Sequence, residues 1–149
     1  MANMKYFAIK GHADTNYDAI RLCANKMYEE GYVKEDFADN CIRREETLPT
    51  GMPSEIPVAM PHSEAEGVIK SAITLLILDE PVEFRRMDDD DEIIKAEAVF
   101  NLAIKEPGGH MEVLRHLMAI FYDSNVLRDL LDTDIEEIPA KMQALIERD

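Results

Sequence analysis

Several residue types are scarce in this chain, and each scarcity excludes a class of protein. The 149 residues include no tryptophan, two cysteines and 16 basic residues against 31 acidic ones, for a formal net charge of −15. So few lysines and arginines argue against binding to nucleic acid or anionic membranes, and the negative charge favours a basic protein partner. Cys23 and Cys41 form neither a Cys-x-x-Cys motif nor a disulfide framework, which is typical of a reducing cytoplasm.

Long hydrophobic runs are also missing. The longest apolar stretch, 72–78, is far too short to cross a bilayer, so we expect no membrane insertion. The N-terminus lacks the basic and then apolar segments of a secretory signal. A hydrophobic fraction of 46% in 149 residues suits one packed core. We therefore expect a single cytoplasmic domain over residues 1–149.

Helical and strand-like segments alternate along the chain. Apolar runs and alternation predict strands at 5–10, 56–60, 71–78, 82–84 and 96–104. Apolar spacing and end signals predict helices at 14–30, 34–46, 110–122, 126–131 and 134–147. The segment 47–57 holds three prolines and is predicted to be a loop. This alternation predicts an α/β fold with helices on both faces of a sheet.

His62 is the most informative residue. The strand-like segment 56–60 ends in Pro61 and places an imidazole at its tip. Phosphoryl transfer through histidine needs a neutral imidazole with one accessible nitrogen, while an acceptor holds the other nitrogen. A stiffly placed histidine just past a strand suits this role, and a surface histidine in a turn is the alternative.

Three further residues are candidates for contacting a phosphoryl group. His110 follows two glycines and opens an amphipathic helix, where free N–H groups favour anions. Arg44 lies near the end of a predicted helix; its guanidinium suits phosphate, although cations are also favoured there by the helix dipole. Thr50-Gly51 adds a hydroxyl and a flexible turn, which is a weaker signal.

The remaining histidines and the acidic run carry no motif. His116 lies six residues after His110, which at ~100° per residue puts the two side chains ~120° apart on a helix, so they do not converge on a metal. His12 lies in a loop with no recognisable pattern. The run 88–91 of four aspartates lacks the spaced ligands and glycine of a calcium loop and is predicted to be a solvated turn.

Together these elements resemble the enzyme IIA domain of the sugar phosphotransferase system, fructose–mannitol type. The resemblance extends from about 14 to 145 and rests on Arg44-Glu45, Pro49-Thr50-Gly51, Val58-Ala59-Met60-Pro61-His62, Pro81-Val82-Glu83-Phe84, and the strand and helix at 98–104 and 110–121. The variants Pro-His-Ser-Glu-Ala and Phe-Arg-Arg-Met-Asp-Asp-Asp-Asp look most like the galactitol branch of that family.

The resemblance implies a phosphotransferase with a central mixed β-sheet flanked by helices on both faces, and no metal or organic cofactor. His62 would accept a phosphoryl group from the phosphocarrier protein HPr and pass it to a cysteine of enzyme IIB, for uptake of galactitol or another hexitol. His110 would hydrogen-bond the phosphoryl group, Arg44 would lie near it, and Thr50 would be a weaker phosphoryl contact. The resemblance also implies an apolar patch around His62.

Two alternatives stay open. One is a regulatory phosphoprotein of the same fold that acts by binding a target protein. The other is a metal- or small-ligand-binding module, which requires acidic ligands to complete a set with His62 and His110. Two features depart from the family pattern: Glu64 and Glu66 would oppose a nearby phosphoryl dianion, and the segment 52–55 lacks glycine.

Overall fold

The computed structural model describes residues 4–63, 65–106 and 109–147. Within these residues five strands and five helices follow one another. Their bounds are β1 (Lys5–Gly11), α1 (Asn16–Glu29), α2 (Phe37–Thr47), β2 (Gly51–Met52), β3 (Val58–Ala59), β4 (Ala72–Arg85), β5 (Ile93–Ala103), α3 (His110–Phe121), α4 (Ser124–Leu131) and α5 (Ile138–Ile146). The predicted α/β fold, a mixed sheet between helices, is confirmed.

The strands form one sheet in the order β1-β4-β5-β3-β2. β4 runs parallel to β1 and antiparallel to β5, while β3 runs parallel to β5 and antiparallel to β2. The sheet therefore mixes both directions, as the resemblance implied. Because β3 lies directly beside β5, the segment that follows β3 also runs along β5.

β4 continues beyond Leu78, the predicted end of the strand 71–78, and includes the segment 82–84 that was predicted as a separate strand. It passes through Pro81 to Arg85, with a shift of register against β5 between Ile77 and Val82. Pro81 lies past Leu78, the last β4 residue paired with β1, and within the interrupted pairing on the β5 side. The missing N–H of proline therefore costs no ladder hydrogen bond, and the strand does not have to end there.

Helices cover both faces of the sheet. Helices α3, α4 and α5 pack on one face and complete an apolar core with strand residues such as Ile73, Leu75, Phe100 and Leu102. Helices α1 and α2 cover the opposite face, against Phe7, Ala72, Leu76, Val99 and Ala103. Among the described residues, no helix has the length and apolarity needed to cross a bilayer.

The observed helix starts are explained better by capping residues, turns and proline than by the spacing of apolar residues. Thr15 caps α1 by accepting the N–H of Asp18. α5 begins at Ile138 rather than 134, because the preceding residues form a turn and Pro139 takes an early helical position, where its missing N–H is harmless. α2 likewise begins at Phe37, after a turn in which its N–H reaches the carbonyl of Lys34.

Candidate active site

The backbone before His62 is fixed against β5. The carbonyl of Pro61 accepts two hydrogen bonds, from the Leu102 N–H at 2.9 Å and from Asn101 Nδ2 at 2.8 Å. His62 itself forms an isolated parallel bridge with Leu102. The short pairing of β3 thus continues past Pro61 and holds His62 in a defined place at the side of the sheet.

The His62 imidazole is oriented by a backbone carbonyl. Its Nδ1 lies 3.0 Å from the oxygen of Met60, and the ring is largely buried, with 9% of the residue exposed. A carbonyl oxygen only accepts, so this bond requires the hydrogen to be on Nδ1. In that tautomer the lone pair is on Nε2, which makes Nε2 the nucleophilic atom of the ring.

The second histidine candidate lies beside the first. His110 is the first residue of α3, and its ring centroid is 5.3 Å from that of His62, with the planes inclined by 39°. Gly109 allows the start of α3 to pack closely on the preceding segment, since a Cβ there would lie 2.9 Å from Ile104 Cγ2 and 3.1 Å from the Glu106 carbonyl. The other glycine of the pair, Gly108, lies outside the described residues.

The structure brings the four candidate residues into one region. Arg44, Thr50 and His62 line a single open cleft of about 560 Å³, and His110 adjoins it through its ring contact with His62. Arg44 comes from the last turn of α2, whereas His62 and His110 come from the end of a strand and the start of a helix. The site therefore combines a guanidinium, two imidazoles and the positive end of a helix, a set suited to a phosphoryl group.

The walls of this cleft are of two kinds. Leu48, Pro49, Met87 and Leu114 supply apolar surface, and Leu48 and Met87 are 54% and 41% exposed. The same cleft is also lined by three aspartates of the acidic turn, residues 88–90. The cleft that contains His62 is therefore lined by both apolar side chains and carboxylates.

Two glutamates follow His62 in the sequence, and the structure describes the position of one of them, Glu66. Glu66 is exposed and lies with Arg43 and Arg44 at a neighbouring depression, outside the group of residues that lines the His62 cleft. Glu66 is therefore not among the residues that line the cleft of His62. Glu64 lies outside the described residues.

Glu45 is a site residue that sequence reasoning missed. It is only 3% exposed, and its two carboxylate oxygens accept the N–H and the hydroxyl of Thr50, each at 2.9 Å. Burial raises the pKa of this carboxyl to about 7, because desolvation outweighs the two bonds from Thr50. The available signal was position: Glu45 continues the buried helical series 37, 38, 41, 42, in which the other members are apolar.

The hydroxyl of Thr50, predicted to be a weak phosphoryl contact, is buried and already hydrogen-bonded. Its hydroxyl donates to Glu45 and accepts the Met60 N–H at 3.3 Å, and the residue is 2% exposed. A hydrogen bond from this hydroxyl to a phosphoryl oxygen would require the bond to Glu45 to break. A phosphoryl contact from Thr50 stays a prediction.

Gly51 is required for close approach, not for a flexible turn. It begins β2, and its carbonyl accepts the Met87 N–H at 2.8 Å. A Cβ at this position would lie 2.5 Å from the Arg85 carbonyl and 2.9 Å from Ile94 Cγ1. The glycine thus lets the segment that carries Thr50 pack directly on the far end of β4.

The other two histidines and the acidic turn have partners of their own or lie at the surface. His12 bridges Asp79 and Asp14 at 3.0 and 2.9 Å on the surface, and His116 Nδ1 donates to the Glu112 carbonyl in its own helix. Among the described residues, the only three potential ligands close enough to share an ion are the exposed aspartates 89–91. His62 and His110 do not belong to such a group, so the metal-binding alternative gains no support.

Comparison with known proteins places this chain in one family. Residues 1–144 match the model described as phosphoenolpyruvate-dependent sugar phosphotransferase system, EIIA 2. The chain belongs to this EIIA family, as the resemblance predicted. Its members are phosphotransferases that carry a phosphohistidine in a phosphoryl relay serving sugar uptake.

Individual relatives agree with this assignment. The galactitol-specific EIIA component of Escherichia coli K12 is 30% identical over 124 residues, covering 80% of this chain and 82% of the relative. The crystal structure of IIA mannitol from Escherichia coli superimposes with a TM-score of 0.71 at 25% identity, covering 93% and 95% of the two chains. The transcriptional regulator ManR of Bacillus subtilis is 33% identical over 97 residues, which are 65% of this chain but 14% of that regulator.

Proposed function

We propose that His62 is the phosphoryl acceptor of this EIIA protein and that Nε2 forms the bond to phosphorus. The observation that carries the proposal is the 3.0 Å hydrogen bond from Nδ1 to the Met60 carbonyl, which leaves the lone pair on Nε2. In the transfer, that lone pair attacks phosphorus while the bond from phosphorus to the donor breaks. The Nδ1 hydrogen stays in place, and the carbonyl stabilises the ring as positive charge develops on it.

His110 and Arg44 would stabilise the phosphoryl group. Phosphoryl transfer depends mainly on positioning and on neutralising the oxygens, and both side chains supply donors beside His62. His110 also stands at the positive end of α3, which favours an anion. Thr50 would be at most a weak phosphoryl contact, because its hydroxyl is already hydrogen-bonded to Glu45 and to the Met60 N–H.

The donor would be HPr and the acceptor a cysteine of enzyme IIB, both reached in the cytoplasm. The apolar residues Leu48, Met87 and Leu114 offer a surface for either protein, and the aspartates of the same cleft favour partners with basic side chains around their reactive residue. The formal charge of −15 would speed encounters with such partners. The 30% identity to a galactitol-specific EIIA component favours a hexitol such as galactitol as the transported sugar.

The test is phosphoryl transfer from phosphoenolpyruvate through enzyme I and HPr. We expect acid-labile, base-stable labelling of the wild type, none in His62→Ala, and slower labelling with poor onward transfer in His110→Ala. His116→Ala is the matched control, since this half-buried histidine lies on the same helix as His110 and its Nδ1 donates to the Glu112 carbonyl. An unlabelled wild type, or a His62→Ala variant that still labels, would refute the proposal.

A regulatory role is the second candidate, and one observation favours it. A segment of the regulator ManR is 33% identical to this chain. In that role His62 would still be phosphorylated, but the phosphoryl group would control binding to a target. Rapid transfer from phosphorylated protein to the cysteine of an enzyme IIB encoded beside it would favour transport, whereas stable phosphorylation with no onward transfer would favour regulation.

A further inference from the structure

An unbroken series of hydrogen bonds joins the interior of α2 to the segment before His62. Glu45 Oε1 and Oε2 accept the Thr50 hydroxyl and N–H at 2.9 Å each, and Thr50 Oγ1 accepts the Met60 N–H at 3.3 Å. When Glu45 is ionised its carboxylate only accepts, so the Thr50 hydrogen then goes to Glu45. The hydroxyl oxygen is then left as an acceptor, which is the role that the Met60 N–H requires.

Met60 connects this series to the imidazole. Its N–H is bound to Thr50, and its carbonyl accepts the hydrogen of His62 Nδ1 at 3.0 Å. Its side chain is 1% exposed and packs in the apolar core. The residue is therefore fixed at three points, and the direction of its carbonyl depends on all of them.

The carboxylate has no role in packing. Glu45 occupies the core side of α2, where an apolar side chain would be buried without the cost of desolvating a charge. The Arg85 guanidinium is nearby but donates to the main-chain carbonyl of Glu45 at 3.2 Å. What Glu45 gains from its position is the pair of bonds to Thr50, and what those bonds fix is Thr50 and, through it, Met60.

We propose that Glu45, acting through Thr50, is a positioning residue that aims the Met60 carbonyl and so keeps the His62 hydrogen on Nδ1 and the lone pair on Nε2. The effect on transfer rests on the function proposed above. The effect on the tautomer is a property of the unphosphorylated protein and does not depend on that function.

The test is a comparison of three variants with the wild type. Thr50→Val preserves the shape but removes the hydroxyl, Thr50→Ser restores it, and Glu45→Gln keeps the size but leaves Thr50 one acceptor in place of two. Two-dimensional ¹H–¹⁵N NMR of the histidine rings gives the fraction of His62 with hydrogen on Nδ1, and labelling through HPr gives the rate. Circular dichroism confirms that each variant is folded.

We expect Thr50→Val to shift His62 toward the Nε2–H tautomer and to slow phosphorylation about three- to tenfold, the range that one net hydrogen bond represents. Thr50→Ser should return both quantities toward the wild type, and Glu45→Gln should fall between. If Thr50 acted only as a direct phosphoryl contact, the rate would fall with an unchanged tautomer, which would overturn the proposal.

The outcomes separate this proposal from the proposed function. A folded Thr50→Val protein with the wild-type tautomer refutes the positioning role whatever the rates are. A shifted tautomer in a protein whose wild type never becomes labelled supports positioning and refutes phosphoryl acceptance from HPr. Should Thr50→Val fail to fold, an unchanged tautomer in Glu45→Gln refutes the role and a shifted one supports it.

Discussion

Two buried regions of this molecule, an apolar core and a polar network, are held together by different interactions. The core between the sheet and helices α3–α5 consists of interlocking apolar side chains, exemplified by Phe100 and Phe121, whose ring centroids are 5.1 Å apart. The network from Glu45 to His62 is equally buried, yet it consists of hydrogen bonds between polar groups. Burial of apolar surface in the first region provides most of the free energy of folding. The second region contributes less to stability, because its polar groups must be desolvated, but it orients the His62 imidazole.

The two regions meet at Met60, whose side chain belongs to the apolar core and whose backbone belongs to the polar network. Close packing of that side chain limits how far the backbone can move. The comparison therefore predicts that changes in the apolar core alter stability with little effect on transfer by the folded protein. Changes in the network, in contrast, should alter transfer in the folded protein.

The largest expected effect on stability comes from Phe121→Ala in the apolar core. Phe121 is 1% exposed, so its truncation should lower the free energy of unfolding by about 3–5 kcal/mol in urea titrations. The neighbouring Tyr122→Ala, at a position 73% exposed, is the control and should change it by less than about 0.5 kcal/mol. A folded Phe121→Ala fraction that accepts phosphate at a greatly reduced rate would break the division between the two regions.

The next effect is the pH dependence that Glu45 imposes. Burial raises its pKa from 4.5 to about 7, so between these values the folded state binds more protons than the unfolded state. Its contribution to stability therefore falls as pH rises from about 4.5 to 7, by an amount on the order of 3 kcal/mol. Urea titrations across this range should show a flatter profile for Glu45→Gln, and parallel wild-type and variant profiles would contradict the assignment.

The apolar core and the polar network also differ in how well the sequence predicts them. The apolar core follows from spacing along the chain: the buried run 71–78 forms the first part of β4, and the helix predicted at 110–122 is observed at His110–Phe121. His62 and His110 could be singled out because each stands at the end of a regular element. Glu45 could not, because a glutamate near the end of a helix usually faces solvent, and its burial depends on how α2 packs.

Other differences have the same origin in tertiary structure. The two-residue strand β2, predicted as loop, is too short to have a period and exists only because Gly51 fits against β4. The continuation of β4 through Pro81 depends on which neighbours are present at that point of the sheet. Asn101 is a polar residue in a largely apolar strand, and its partners, the Pro61 carbonyl and Cys41 Sγ, lie far from it in the sequence.

A smaller expected effect sharpens the comparison at Asn101. Asn101→Leu removes one of two donors to the Pro61 carbonyl but retains the Leu102 N–H, and it removes a buried Oδ1 that has no hydrogen-bond partner among the described residues. The free energy of unfolding should change by less than about 1.5 kcal/mol, while labelling through HPr slows.

The matched control for Asn101 is Thr74, its register partner on β4. Thr74 Oγ1 is also buried without a partner in the described part of the chain, but no described bond links it to the His62 segment. Thr74→Val should leave the labelling rate unchanged. Equal slowing in both variants would show that the effect is a general response of this face of the sheet.

The smallest expected effect lies at the surface, away from both regions. The His12 pKa is raised above its ordinary value of 6.5 by hydrogen bonds to Asp14 and Asp79 and by the charge of Asp79. Its stabilising contribution is complete below pH 6.5 and is lost as pH rises through the folded-state pKa. His12→Gln should remove this shallow slope from the melting temperature above pH 6.5, and a variant with the wild-type slope would contradict the assignment.

The central claim is that the Met60 carbonyl determines which nitrogen of His62 reacts. The most direct measurement is ¹H–¹⁵N and ³¹P NMR of ¹⁵N-histidine-labelled protein before and after phosphorylation through HPr. The account predicts hydrogen on Nδ1 of His62 beforehand and phosphorus bonded to its Nε2 afterwards. Phosphorus on Nδ1, or on another histidine, would contradict it.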